Sequence, residues 1–208
     1  MVLDGAGRCA GVQLRATIAG LVAAAGAQHR LDVVGIDIPI GLPDAGERPV
    51  DQAARALLKG AASSVFPVPT RQALMAASYA DASRRNRELS GKGISRQSYG
   101  LKDKILDVDR WVAGRPSMPV LEVHPELSFR TMAGRPLGFN KRSWTGILMR
   151  LQLLSEHGVE VPVENPAGRV GFDDVADAAA VAWTAHRYAV GSARPVLSVS
   201  GAIGEIWY

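Results

Sequence analysis

LDVVGIDIPIGLP, residues 31–43, decides how the rest of this chain is read. Val33, Val34, Ile36, Ile38 and Ile40 are β-branched and suit a pleated strand, and no polar alternation reserves a face for water. The run predicts a strand over 31–40, buried on both faces in the middle of a parallel or mixed sheet. Pro39 removes a ladder donor and Gly41 loosens the backbone, so the strand ends soon after Asp37. Asp37 then lies near the carboxyl end of a central strand, where open α/β sheets carry their sites. A carboxylate there needs a metal, a cation or a hydrogen-bond network. The plainer alternative is an Asp bonded to backbone amides in a turn.

Upstream, residues 1–4 read as a strand stump and 9–16 as a second strand, with Val12 and Leu14 on one face, together forming a hairpin. Residues 17–28 predict a helix with Thr17 as N-cap and Gly26 as its stop. Downstream, from about residue 44 to 118, the sheet signal disappears. Helical patterns cover 49–59, 70–89 and 96–112, separated by loops rich in Gly, Ser and Pro. No linker-like stretch bounds this segment, so it reads as a helical insertion within one domain. Residues 119–129 predict a strand that turns into a helix at Pro125. Residues 143–157 and 172–190 predict helices, the latter with Asp173 or Asp174 as N-cap, and 159–165 a loop or short strand. Ile203, Ile206 and Trp207 give the tail an apolar surface with which to dock on the core.

The chain has 208 residues and a net charge of +4, from 24 Lys and Arg against 20 Asp and Glu. That length suffices for one α/β domain, and the modest basic excess permits nucleic-acid or phosphate partners without demanding them. Cys9 is the only cysteine, which excludes an intrachain disulfide and fits a reducing, cytoplasmic setting. No apolar run is long enough to span a membrane. The first 28 residues resemble a secretory signal only loosely, because Asp4 and the Gly- and Arg-containing start are wrong for one.

Several acids invite a chemical reading. In LEVHPE, strand periodicity places Glu122, His124 and Glu126 on one face, unless Pro125 moves Glu126 into a first helical turn. Glu122 suits a metal ligand or base with His124 beside it; an ion-paired strand acid and a hydrogen-bonded core histidine are the alternatives. Asp174 and Asp177 share a helix face with Ala178 and Val181, so the pair points to the apolar side and needs a cation or proton to coexist. Asp37, Glu122, Asp174 and Asp177 together would suit Mg²⁺ or Mn²⁺, and two such ions can activate water for in-line attack on phosphate. In the insertion, Lys59, Ser63, Ser64, Arg71, Lys92, Ser95, Arg96, Gln97, Lys102 and Lys104 offer phosphate donors, and Tyr99 and Trp111 could stack a base; a solvated face is the alternative. There is no Walker loop, dinucleotide fingerprint, zinc-ligand spacing or nucleophile elbow.

GIDIPIGLP, KGAASSVFPVPTRQAL, GKGISRQSYGLKDKI, LEVHPELSF and DDVADA, in that order, resemble an uncharacterised bacterial family of predicted nucleases in the ribonuclease H-like superfamily. The likeness runs from about residue 31 to 207. It implies a mixed sheet of about five strands, the first three antiparallel, flanked by helices. It also implies carboxylates binding two divalent metals, with Asp37 on the fourth strand, Glu122 on the fifth, and Asp174 and Asp177 on the last helix. The family's first strand carries an Asp followed by a Gly-rich turn and a Trp, and this chain begins past that point. The expectation is therefore a ribonuclease H-like domain whose amino-terminal strand is truncated, and activity without that Asp stays open. The implied function is a metal-dependent nuclease or phosphodiesterase acting on nucleic acid, with Asp37, Asp174 and Asp177 on metal and Glu122 and His124 assisting. The alternatives are an ATP-dependent phosphotransferase of the same superfamily and a non-catalytic nucleic-acid-binding module.

Overall fold

The computed structural model describes residues 1–59, 61–162, 170–198 and 203–208. It is a mixed α/β fold with a small parallel sheet. In chain order the elements are β1 (Val2–Leu3), β2 (Cys9–Gly11), α1 (Ile18–Gly26), β3 (Val34–Ile36), α2 (Pro49–Leu57), a 3-10 turn (Ala62–Ser64), α3 (Arg71–Leu74), α4 (Tyr79–Ser90), α5 (Arg96–Gly100), α6 (Lys102–Ala113), β4 (Val120–Val123), α7 (Pro125–Ala133), α8 (Trp144–Glu156), α9 (Phe172–Ala189) and β5 (Ile206–Trp207).

Among the described residues two sheets form instead of one. β1 and β2 make an antiparallel hairpin, and β3, β4 and β5 make a parallel sheet with β4 in the middle. Ile36 pairs with Glu122 and Glu122 with Ile206, so the strands are in register at the level of Glu122. Residues 194–196 cover the outer side of β5 through antiparallel bonds, among them Val196 N–H to the Ile206 carbonyl at 2.7 Å. The expected central strand over 31–40 is corrected: β3 is short and pairs on one side only among the described residues. Its other side faces a cleft, so Val33, Val34 and Ile38 are only half-buried. No β-ladder joins β1 to β3 among the described residues, so the continuous mixed sheet does not form there.

α9 is the element on which the two sheets meet. Ala176, Ala179, Ala180 and Trp183 pack with Phe129, Met132 and Leu154 from α7 and α8, while Met1 and Leu3 of the hairpin rest on the same cluster. Its other side, through Val181, packs on Leu121 and Val123 of β4. The alanines keep this helix thin enough for layers to close on both sides. Gly35 lets β3 press against α9: a Cβ there would stand 2.9 Å from Val181 Cγ1 and 3.2 Å from Ala185 Cβ. That approach carries the end of β3, and so Asp37, toward the first half of α9.

The helices follow local chemistry. Thr17 caps α1 by accepting from Gly20 N–H at 3.2 Å, as its position predicts. The helix expected over 70–89 divides, because Ser78 adopts an extended backbone and caps a new helix through Asp81 N–H at 3.1 Å. The one expected over 96–112 also divides, at Leu101. Gly171, without a side-chain cap, is the N-cap of α9, and Asp173 and Asp174 lie in its first turn, where acids suit the helix dipole. The second strand stops at Gly11, well short of residue 16. No strand forms at 159–162, and the rest of the expected 159–165 loop or strand lies outside the described residues. The tail docks as expected through Ile206, fully buried, and Trp207, edge-on to Tyr188 at 4.8 Å, while Ile203 stays exposed. No described helix is long and apolar enough to cross a membrane.

Candidate functional site: an acidic cleft between the two sheets

A cleft of about 1560 Å³ runs between the hairpin, α1 and β3, and extends over the carboxyl ends of β3 and β4 to α9. Asp37, Glu122, His124, Glu126, Asp174 and Asp177 all line it. Asp37 follows β3 directly. Its side chain meets cleft water, yet protein crowds it: desolvation, then Asp177, with Glu122 and Asp174 adding, pushes its carboxyl up to about 8, against Lys141. Desolvation also pushes Asp177 up, opposed by Lys141. Cleft water screens these charges in part.

Asp177 is nearly buried. Its Oδ2 accepts from Lys141 Nζ, while its Oδ1 is buried without a hydrogen-bond partner. Lys141 comes from the loop before α8, where Arg142 Nε also reaches Asp173 at 3.3 Å. This loop is pinned to α8: Asn140 carbonyl accepts from Ser143, and Gly146 lies so close beneath it that a Cβ would stand 1.9 Å from that oxygen. Asp174 is exposed at the rim.

Glu122 takes the second of the two roles its sequence allowed, that of an ion-paired strand acid. Both its oxygens accept from Arg48, at 2.7 Å each, and Oε2 also accepts Ile40 N–H at 2.7 Å. Arg48, 1% exposed, bonds Asp51 as well, and donates to the Ile40 carbonyl at 2.9 Å. Burial works against the Arg48 charge, and the bonds to Glu122 and Asp51 more than offset it. Burial also pushes Glu122 up while Arg48 and Ile40 pull it down. The network ties β4, the turn after Asp37 and the start of α2 into one unit.

His124 is the N-cap residue of α7. Desolvation lowers its pKa, so the ring is neutral near pH 7. Its Nε2 lies 3.3 Å from the Ser64 carbonyl and its Nδ1 is buried without a partner. Glu126 joins the first turn of α7, the second of the two placements its sequence allowed, and both its oxygens accept from Nη2 of buried Arg150, at 2.7 and 2.9 Å.

The phosphate donors expected in the insertion separate into two groups. Ser63, Ser64, Gln97 and Lys104 line the same cleft as the acids. The others are occupied or outside its wall. Arg71 holds Asp109 through a two-pronged pair, Arg96 lies 4.7 Å over the Tyr79 ring, and Lys102 donates to the Ala76 carbonyl at 2.6 Å. Lys59 is exposed, Lys92 pairs with Glu47, and Ser95 caps α5. Tyr99 packs edge-on against Tyr79 at 5.4 Å, and Trp111 is half-buried.

The expected four-acid metal cluster is therefore loosened. Among the described residues no three His, Cys, Asp or Glu side chains gather closely enough to hold an ion by themselves. Arg48 draws Glu122 away, and Asp174 stands at the rim. Asp37 and Asp177 still suit one hard cation, since Mg²⁺ binds through one or two carboxylates and completes its shell with water and phosphate oxygens. The bare Asp177 Oδ1 and the raised Asp37 carboxyl are what such an ion would relieve. Sequence reading missed Lys141, Arg150 and Arg48. Only Arg48 left a hint: a cation just before the helix-starting Pro49 opposes the helix dipole and so needs acids of its own.

No curated protein and no solved structure matches this chain. A family model described as "Protein of unknown function (DUF429)" matches residues 1–200, and the chain belongs to that family.

Proposed function

We propose that this protein is a divalent-metal-dependent nuclease or phosphodiesterase of ribonuclease H-like type. The observation that supports this reading is the convergence of Asp37 and Asp177 in a cleft that Ser63, Ser64, Gln97 and Lys104 also line. Asp37 and Asp177 would hold Mg²⁺ or Mn²⁺, with Asp174 reaching in from the rim. Bound there, the ion would supply an acidified water and a counter-charge for a phosphate oxygen. The chain's own groups do the rest. Arg48, through Glu122 and the Ile40 backbone, fixes the turn that presents Asp37. Neutral His124 offers a ring nitrogen toward Ser64 and the cleft. Lys104 and the hydroxyl of Ser63 suit a phosphodiester backbone, while the Ser64 hydroxyl donates to the Ala61 carbonyl at 2.7 Å.

A second reading draws on one contact. Lys141 already supplies a cation to Asp177, which suits a cleft that holds nucleic acid without metal or chemistry. Cleavage of labelled single-stranded and duplex DNA and RNA, with Mg²⁺ or Mn²⁺ and with chelator, separates the two. The nuclease reading expects metal-dependent cleavage that falls by at least about a hundredfold in Asp37→Asn. Salt-sensitive binding that ignores both metal and Asp37→Asn supports the second reading and contradicts the first.

A further inference from the structure

Three carboxylates around the cleft already have an arginine: Glu122 has Arg48, Glu126 has Arg150 and Asp173 has Arg142. Asp37 and Asp177 share a lysine instead. Lys141 Nζ donates to Asp177 Oδ2, and its charge also acts on Asp37. This lysine sits on a tied loop. The Phe139 carbonyl accepts from Arg150 Nη1 at 3.3 Å, Asn140 Oδ1 accepts from Arg142 N–H at 2.8 Å, and the Asn140 carbonyl accepts from Ser143 N–H at 3.0 Å. Arg142 Nε then bonds Asp173 of α9, the helix that carries Asp177. A cation placed before the substrate arrives needs no reorganisation when negative charge comes to it. An ammonium has three donors, and Asp177 takes one of Lys141's. The Lys141 side chain is 35% exposed and lines the cleft, so a ligand there can meet it.

The charges limit what else can bind. With Asp37 and Asp177 both ionised, two negative charges and the one positive charge of Lys141 leave a single negative charge. One divalent ion turns that into a single positive charge, the complement of one phosphodiester. A second ion would need further acids, but Arg48 holds Glu122, and Asp174 stands in water at the rim. We infer that Lys141 stands in for a second metal ion: the cleft takes one divalent cation through Asp37 and Asp177, and the Lys141 ammonium supplies the other positive charge that a phosphodiester meets. This rests on the metal-dependent reading proposed above and deepens it. It makes Lys141 a phosphate contact, and it replaces the two-ion site that the family resemblance implies.

Calorimetry of Mn²⁺ with the wild type, Lys141→Met and Lys141→Arg tests the ion count. Thymidine 5′-monophosphate, which has no diester bond to cut, is then titrated into each Mn²⁺-saturated protein. The wild type is expected to bind one Mn²⁺ per chain, and Lys141→Met to bind it at least about threefold more tightly, because a competing positive charge is gone. The monophosphate is expected to bind Lys141→Met at least about tenfold more weakly than the wild type, with Lys141→Arg in between. A purely structural Lys141 would shift the thermal midpoint and leave ion count and phosphate affinity unchanged. Two Mn²⁺ per wild-type chain overturns the inference, and it does so whether or not Lys141→Met folds. Monophosphate affinity that ignores Lys141→Met overturns it as well. Metal-dependent cleavage alongside either result leaves the nuclease reading standing. One bound ion and Lys141-dependent phosphate binding, with no nucleic acid cleaved, overturns the nuclease reading and leaves the inference. No Mn²⁺ binding contradicts both.

Discussion

Asp37, Asp177 and Lys141 concentrate the electrostatic tension of the molecule in three side chains. Asp37 was legible from sequence, because an acid inside LDVVGIDIPIGLP has to be explained. Lys141 was not: in the polar loop GFNKRSW nothing marks one cation as the partner of a helix acid 36 positions away. The raised Asp37 carboxyl sets a pH dependence with a definite sign. A carboxyl whose folded value lies above its ordinary one, near 3.9, favours the fold while protonated, and that contribution is lost as pH rises through about 8. Asp37→Asn, which cannot ionise, is therefore expected to gain thermal stability over the wild type as pH climbs from about 4 to 8, in metal-free buffer. Melting curves across that range check it, and a pH-independent gap between the two proteins contradicts it.

At the scale of elements, the sequence marked most helices and misjudged where they break. Periodicity sees an apolar stripe but not a local cap, so Ser78 restarted a helix within an unbroken pattern. The strand reading failed for a tertiary reason. Composition says that 31–40 suits a strand, but ladder length depends on neighbours, and β4 pairs with only Val34–Ile36. Glu122 shows the same limit, since strand position revealed the acid and not its arginine. Arg48 is buried with both its carboxylates, so Arg48→Met would leave Glu122 and Asp51 without their cation. The expected loss is about 3–5 kcal/mol in urea unfolding, with weaker metal binding because the turn after Asp37 loosens. A loss below about 1 kcal/mol would show that the network is no strut for this turn.

Across the whole molecule, two small sheets lean on one alanine-rich helix, and the cleft between them carries the acids, the donors and Phe139. The α/β class, the helical segment between β3 and β4, and the meeting of Asp37 with Asp177 were all readable in order along the chain. The separation of the sheets was not, because pairing between distant strands leaves no local pattern. All of this turns on whether the cleft takes a divalent ion. The most direct measurement is isothermal calorimetry of Mn²⁺ and Mg²⁺ into the wild type, Asp37→Asn and Asp177→Asn. Saturable binding by the wild type that either substitution abolishes is the predicted result. No binding by the wild type, or binding unchanged in both variants, would contradict the metal site and leave the acids as structural groups.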